Sequence, residues 1–229
     1  MTFPCLISQD APPPTLPDPP IRLGIMASGS GSNMAASAQA IDSGDLNAQI
    51  AGVIYNNPSA LVARRAQERQ IAATLLDHRQ FDSRAALDQA IITALKDYAV
   101  DWVIMAGWMR RVTEVLIDAF PQRILNIHPS LVPSFPGVRA VEQSLNAGVK
   151  VTGCTVHYVE LAVDSGQIVM HAAVTVRPDD TVSSLQGRIQ VQEHRIFPAA
   201  IAWAAFNSLV TENLVTENLV TENLVTENP

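Results

Sequence analysis

Short apolar runs alternate along this chain with longer segments in which apolar residues recur near helical spacing. Residues 21–27 (Ile-Arg-Leu-Gly-Ile-Met-Ala) read as a first strand, which Ser28-Gly-Ser-Gly-Ser-Asn33 breaks before a helix over 34–41. The runs at 50–55, 72–76 and 102–106 have the length and composition of buried strands. Asn56-Asn57-Pro58 marks a turn, and a helix follows through Glu68. Asp82 or Ser83 can cap a helix to about Tyr98, along which Ala86, Ala90, Ile91 and Leu95 fall near helical spacing. Strand–helix alternation of this kind predicts an α/β fold: a Rossmann-like, mostly parallel sheet with helices on both faces. The alternation stops after residue 150. Residues 152–159 and 167–176 read as strands joined by Glu160-Leu-Ala-Val-Asp-Ser-Gly166, too short for a crossover helix, so an antiparallel C-terminal pair is expected. Asp180 or Thr181 then starts a long helix to about Ala205.

The two ends fall outside this pattern. Residues 11–20 are Pro-rich and cannot be helical, so residues 1–20 read as an extension. Leu-Val-Thr-Glu-Asn occurs four times in register from Leu209 to Asn228. A period of five suits neither an amphipathic helix nor a strand, and too few copies are present for a solenoid. Residues 208–229 therefore read as a tail produced by duplication, and 21–207 as the domain.

With 229 residues and 48% of them hydrophobic, the chain can build one large core. Its net charge of −7, with no long Lys/Arg block, argues against nucleic acid as a partner. No apolar run is long enough to span a membrane, and no basic-then-apolar leader suggests secretion. Cys5 and Cys154 lie far apart and fit a reducing, cytoplasmic setting better than a disulfide framework. The histidines show no metal-ligand spacing, so no metal is expected.

The chemistry concentrates in Ile124-Leu-Asn-Ile-His-Pro-Ser-Leu-Val-Pro-Ser-Phe-Pro-Gly137. On a strand, Asn126 and His128 share a face. Pro129, Pro133 and Pro136 stiffen the loop that follows. An imidazole that can move a proton is thus aimed beside an amide that can donate to a developing oxyanion. Gly29-Ser-Gly-Ser-Asn33, between a strand and a helix, is a candidate anion site, although a tight turn alone would need the same glycines. It completes neither Gly-x-Gly-x-x-Gly nor a nucleotide P-loop. Asp164 could be a turn-former or could orient His128; His157 could be a core histidine or part of the chemistry.

Together these segments resemble the glycinamide ribonucleotide formyltransferase family, folate-dependent enzymes of purine synthesis. The resemblance covers about residues 21–205. It rests on the order and spacing of 29–33, Phe-Asp-Ser-Arg (81–84), Ala-Gly-Trp-Met-Arg (106–110), Asn-Ile-His-Pro-Ser-Leu-Val-Pro (126–133), Gly-Cys-Thr-Val-His (153–157), Val-Asp-Ser-Gly (163–166) and Gln-Val-Gln-Glu-His (190–194). It implies Asn126, His128 and Asp164 as the catalytic set. It further implies Gly31, Ser32, Asn33 and Arg84 at the phosphate of glycinamide ribonucleotide, with Gln190 and Glu193 near the glycinamide end. Met109, Arg110, Arg111 and Val112, with Val159, Asp164 and the rest of the 159–163 loop, would line the pocket for 10-formyltetrahydrofolate as co-substrate. A monomer or weak homodimer is expected.

Related formyl-transfer activities share the Asn-x-His and Asp logic. A methionyl-tRNA formyltransferase would be expected to carry a second, basic domain, and a formyltetrahydrofolate hydrolase an N-terminal regulatory one. A sugar formyltransferase is disfavoured by the phosphate loop together with Glu193. A catalytically silent nucleotide-binding scaffold would show saturable binding without turnover. The chain departs from the family pattern after the last helix, where Phe206-Asn-Ser208 runs straight into the repeats.

Overall fold

A computed structural model describes residues 7–8 and 12–226, with side chains through Glu212. Seven strands form one sheet in the order β3-β2-β1-β4-β5-β6-β7. The strands are β1 (Ile21–Ala27), β2 (Ala48–Tyr55), β3 (Ala73–Leu75), β4 (Trp102–Met105), β5 (Ile124–His128), β6 (Val151–Tyr158) and β7 (Ile168–Thr175). The first five are parallel. The β5–β6 and β6–β7 pairs are antiparallel, as the short connection between the late strands requires. The helices are α1 (Ser32–Asp42), α2 (Leu61–Glu68), α3 (Arg84–Asp97), α4 (Glu114–Ala119), α5 (Ala140–Asn146) and α6 (Val182–Thr226).

Helices on both faces explain why the central strands are apolar almost throughout. All four residues of β4 are buried. Strand alternation divides them between two cores. Leu23 and Ile25 pack with Met34 of α1, Val62 of α2 and Phe197 of α6, whereas Met26 turns to Leu87 and Ile91 of α3 and Leu116 of α4. The strand order runs outward in opposite directions from β1 and β4. The crevice beyond the carboxyl ends of these neighbours is where open α/β sheets bind ligands.

Several local outcomes differ from the sequence reading. Helix α1 starts at Ser32, not at 34, because Gly31 takes a left-handed conformation (φ 71°) and turns the chain directly into the helix. Helices α4 and α5, six and seven residues long, were not anticipated; both are too short for a periodic pattern, and neither has a side-chain N-cap bond. For α3 the capping residue is Ser83, whose Oγ accepts from Ala86 N–H. For α6 it is Thr181, whose Oγ1 accepts from Ser184 N–H.

The largest difference lies at the ends. Helix α6 does not stop near Ala205 but runs through the repeats to Thr226. A five-residue step rotates about 140° around a helix axis, so the Leu-Val pairs spiral and form no single face. The first repeat is nonetheless tied down. Leu209 packs against the larger core, and Glu212 pairs with Arg123, whose guanidinium lies 5.3 Å from the Trp102 ring centre. At the other end, Leu16 is buried, and the Asn47 amide donates to Leu16 O, Pro17 O and Asp18 Oδ1 at 3.1–3.2 Å. Ile7 bridges Ala172 on β7. Cys5, and residues 227–229 at the end of the repeat tail, lie outside the described residues.

Ending the chain after Asn207 is therefore expected to lower thermal stability, by about 1–2 kcal/mol for the lost part of a leucine's burial. The exposed ion pair adds little to this. A chain ended after Glu212 keeps both contacts and should melt like the full protein. Equal melting of the two truncations would show that the first repeat contributes nothing to the domain.

Candidate active site

A cavity of about 650 Å³ opens at the carboxyl ends of β1, β4 and β5. Its walls include every candidate site residue from the sequence except Arg84. That side chain sits on the exposed first turn of α3 and does not line the cavity; its charge acts on Asp88, one turn along the same helix.

One end is the loop after β1. A Cβ on Gly31 would come within 2.6 Å of Val62 Cγ2, so both the φ and the packing demand glycine. The loop delivers the start of α1, with its unpaired N–H groups and positive dipole end, to the cavity. Helix α6 closes this end. Gln190 Nε2 donates to Ser32 Oγ (2.8 Å), and Asn33 Nδ2 donates to Glu193 Oε2 (3.0 Å). Burial pushes the Glu193 carboxyl above its ordinary range, against the opposing effect of the Asn33 bond. Asn33 Oδ1 is buried without a partner among the described residues. Glu193 and Asn33 both line the cavity here, and both side chains can accept from an N–H donor.

The centre of the cavity is built by β5, β6 and the loop after β6. Asn126 pairs across the sheet with His157, and His128 with Thr155, so all four share a face. Asp164, in a left-handed conformation (φ 50°), points into this group. Its Oδ2 lies 3.2 Å from His128 Nδ1 and accepts from Gly137 N–H at 2.8 Å. Its Oδ1 lies 3.5 Å from His157 Nε2 and accepts from Asn126 Nδ2 at 3.4 Å. Burial raises the Asp164 carboxyl, but the His157 contact, the Gly137 N–H and the charge of the imidazoles outweigh it and hold the group below the ordinary carboxylate range. His128 Nε2 faces Phe135 O at 2.9 Å and His157 Nδ1 faces Tyr158 O at 2.8 Å; since carbonyls only accept, both nitrogens carry protons in these bonds. The far nitrogen of each ring is thereby turned toward Asp164.

Thr155 supplies a support that sequence reading did not assign. Its Oγ1 donates to Ser130 O (2.6 Å) and accepts from Val132 N–H (3.0 Å), fixing the loop that returns Phe135 O and Gly137 N–H to the cluster. The i, i+2 spacing of Thr155 and His157 was its only sequence signal. The backbone groups of Phe135 and Gly137 left none.

The other end is more apolar. Met109 is 64% exposed, and Val138, Leu161 and Val163 also present surface beside it. Arg110, Arg111, Val112 and Val159 line the cavity as well. The cavity thus joins an anion-compatible helix start to a proton-handling centre and an apolar slot, the layout of a site for two substrates. Among the described residues, no group of three or more His, Cys, Asp or Glu is placed to hold a metal, and no helix is long and apolar enough to cross a membrane.

Comparison with known proteins matches the family model described as "Formyl transferase" over residues 21–201. Phosphoribosylglycinamide formyltransferase of Bacillus subtilis is 37% identical over 180 residues, covering 79% of this chain and 92% of that protein. The human trifunctional purine biosynthetic protein adenosine-3 is 40% identical over 184 residues, but the chain spans only 18% of its length. Among solved structures, glycinamide ribonucleotide transformylase 1 from Symbiobacterium toebii superposes with a TM-score of 0.79 at 45% identity, covering 81% of this chain and 88% of that one. Phosphoribosylglycinamide formyltransferase from Bacillus halodurans gives 0.77 at 41% identity, covering 79% and 93%.

Proposed function

This chain belongs to the formyl transferase family, and on that premise we propose that it transfers the formyl group of 10-formyltetrahydrofolate to the amine of glycinamide ribonucleotide. The products are formylglycinamide ribonucleotide and tetrahydrofolate, in de novo purine biosynthesis. The observation that carries this reading is the buried Asp164 carboxylate held between His128 and His157 beside Asn126. It lies between an anion-compatible helix start and an apolar slot in one cavity.

In this reading the ribonucleotide phosphate meets the N–H groups at Gly31, Ser32 and Asn33, and the glycinamide end reaches Glu193 with Gln190 beside it. Arg84, which does not itself line the cavity, would add positive charge toward the phosphate from outside the wall. The folate lies along Met109–Val112 and the 159–163 loop. The amine nitrogen attacks the formyl carbon, and the carbonyl electron pair moves onto oxygen. Asn126 Nδ2 donates to that oxygen, and His128 Nε2–H exchanges Phe135 O for it as the charge develops, stabilising charge that exists only along the reaction path. Asp164 Oδ2, 3.2 Å from His128 Nδ1, orients the ring, so the proton lost by the attacking nitrogen can be relayed through it to the folate nitrogen as the carbon–nitrogen bond breaks. The attacking and leaving groups are both held by the cavity, so no covalent enzyme intermediate is needed.

The test is formyl transfer from 10-formyltetrahydrofolate in the presence and absence of glycinamide ribonucleotide. Formylglycinamide ribonucleotide should form stoichiometrically with tetrahydrofolate. Release of formate at the same rate without the amine would make the protein a hydrolase, and saturable binding without product would make it a silent scaffold.

Glu193→Gln supplies a pH test of the amine end. Because the folded-state carboxyl is pushed up, the native protein holds this proton more tightly than the unfolded chain, so wild-type stability falls as pH rises from the ordinary glutamate value of 4.5 through the folded one. The glutamine does not titrate and can still accept from Asn33. Its melting temperature relative to wild type is expected to rise across that window and then level off, while KM for glycinamide ribonucleotide increases at neutral pH. A difference in melting that is flat from pH 4 to pH 8 would contradict the buried-carboxyl account.

A further inference from the structure

We propose that Asp88 is a positioning residue for the co-substrate wall, acting through Thr113 on the main chain of 109–112. This inference rests on the reading of that wall as the folate side of the cavity.

Asp88 lies in the second turn of α3 on a face otherwise made of Leu87, Ile91 and Leu95, and only 2% of it is exposed. A carboxylate there is costly for both burial and helix propensity, so its partners matter. A single oxygen, Oδ2, accepts from Thr113 N–H at 2.6 Å and from Thr113 Oγ1 at 2.8 Å. Thr113 occupies the N-cap of α4, where a threonine hydroxyl ordinarily accepts from the helix's own first turn. Here it makes no such bond and donates to Asp88 instead. A local capping interaction has been exchanged for a tie across the fold.

The tie falls immediately after Val112. At the other end of the same segment, Met109 N–H donates to Ser28 Oγ at 2.8 Å, and Ser28 N–H donates to Gly107 O at 3.0 Å. Between these anchors, the main chain of 110–112 makes no hydrogen bond to other described residues, although it lines the cavity. This wall segment is therefore held at its two ends and not along its length. Ser28 also touches the loop that forms the anion end, so it cannot separate the two substrates. Asp88 does not itself line the cavity and touches the wall only through Thr113, away from the anion-end loop, so its loss should act on one substrate only. A chain free to shift at Thr113 must lose that freedom on binding, which weakens binding without altering the reacting groups.

The experiment compares wild type with Asp88→Ala, Asp88→Asn and Thr113→Val in the formyl-transfer assay. Calorimetric Kd values for 10-formyltetrahydrofolate and for glycinamide ribonucleotide are measured separately. Asp88→Ala should raise KM and Kd for the folate about tenfold, equivalent to about 1.4 kcal/mol, with the ribonucleotide values within about twofold. Thr113→Val should do the same to a smaller extent, because its backbone bond survives. Asp88→Asn retains an acceptor and should restore most of the affinity. Equal weakening of both substrates, or Asp88→Asn as impaired as Asp88→Ala, would reduce Asp88 to a general stability role and overturn the proposal. If wild type binds the folate but forms no formylglycinamide ribonucleotide, the functional reading fails while the Kd comparison still decides the role of Asp88. If wild type binds no folate, both fall.

Discussion

Replacing His128 with alanine is expected to lower kcat by roughly 10²–10⁴, the range for losing a positioned acid–base group. Binding of either substrate should change far less. The ring lies between two acceptors, Asp164 at 3.2 Å and Phe135 O at 2.9 Å, so its orientation is set before substrate arrives. A group held this way contributes mainly when charge develops, and that contribution appears in kcat. Steady-state kinetics with calorimetry of each substrate make the separation. Near-normal kcat in a purified, folded His128→Ala protein would remove His128 from the mechanism.

Asn126→Ala should cost on the order of 10²–10³ in kcat if its amide meets the developing oxyanion. Its Nδ2 lies 3.4 Å from Asp164 Oδ1 and 3.2 Å from His157 Nε2, so the amide already sits inside the polar cluster. Removing it also leaves the carboxylate with one donor fewer. Asp164→Asn separates that secondary effect. Because the native carboxyl is held below its ordinary value of 3.8, its contribution to stability is present above that pH and lost as pH falls through the lower, folded value. Asp164→Asn should therefore be less stable than wild type at neutral pH, with the gap closing in acid, and should also lose kcat. If Asn126→Ala loses no more kcat than it loses thermal stability on the Asp164→Asn scale, the amide is structural. If Asp164→Asn melts early yet turns over normally across the pH range, the aspartate is only a loop anchor.

The strand-end pair Asn126 and His128 was legible because a strand has a strict two-residue repeat. Knowing the strand was enough to know that both face one side. The same holds for the run of short apolar strands, whose composition follows from burial on both faces, and for the late antiparallel pair, whose joining segment is too short to cross over. The glycine loop was legible both as a strand-to-helix turn and as a candidate anion site, because the same glycines serve either and do not separate the two.

What brought Asp164 to His128 could not be read in this way. They lie on different elements, and their meeting depends on the β5–β6 register and on Thr155 fixing the proline loop. The same limit explains Arg84. The motif Phe-Asp-Ser-Arg identifies a helix start, but whether that start faces the cavity depends on which side of the sheet α3 packs, and it packs on the side with Met26 and Ile54. Glu193 and Asn33, 160 positions apart, meet only because α6 crosses the start of α1. Helix α6 also extends into the repeats, which have no helical periodicity of their own, because a helix already formed propagates at little cost once its nucleus is in place. Sequence by itself thus determined the strands, the longer helices and the face each local pair presents, since these follow from backbone periods of two and 3.6 residues. Only tertiary structure decided which of those faces share a cavity, because that depends on strand order, register and the handed packing of helices between residues far apart in the chain.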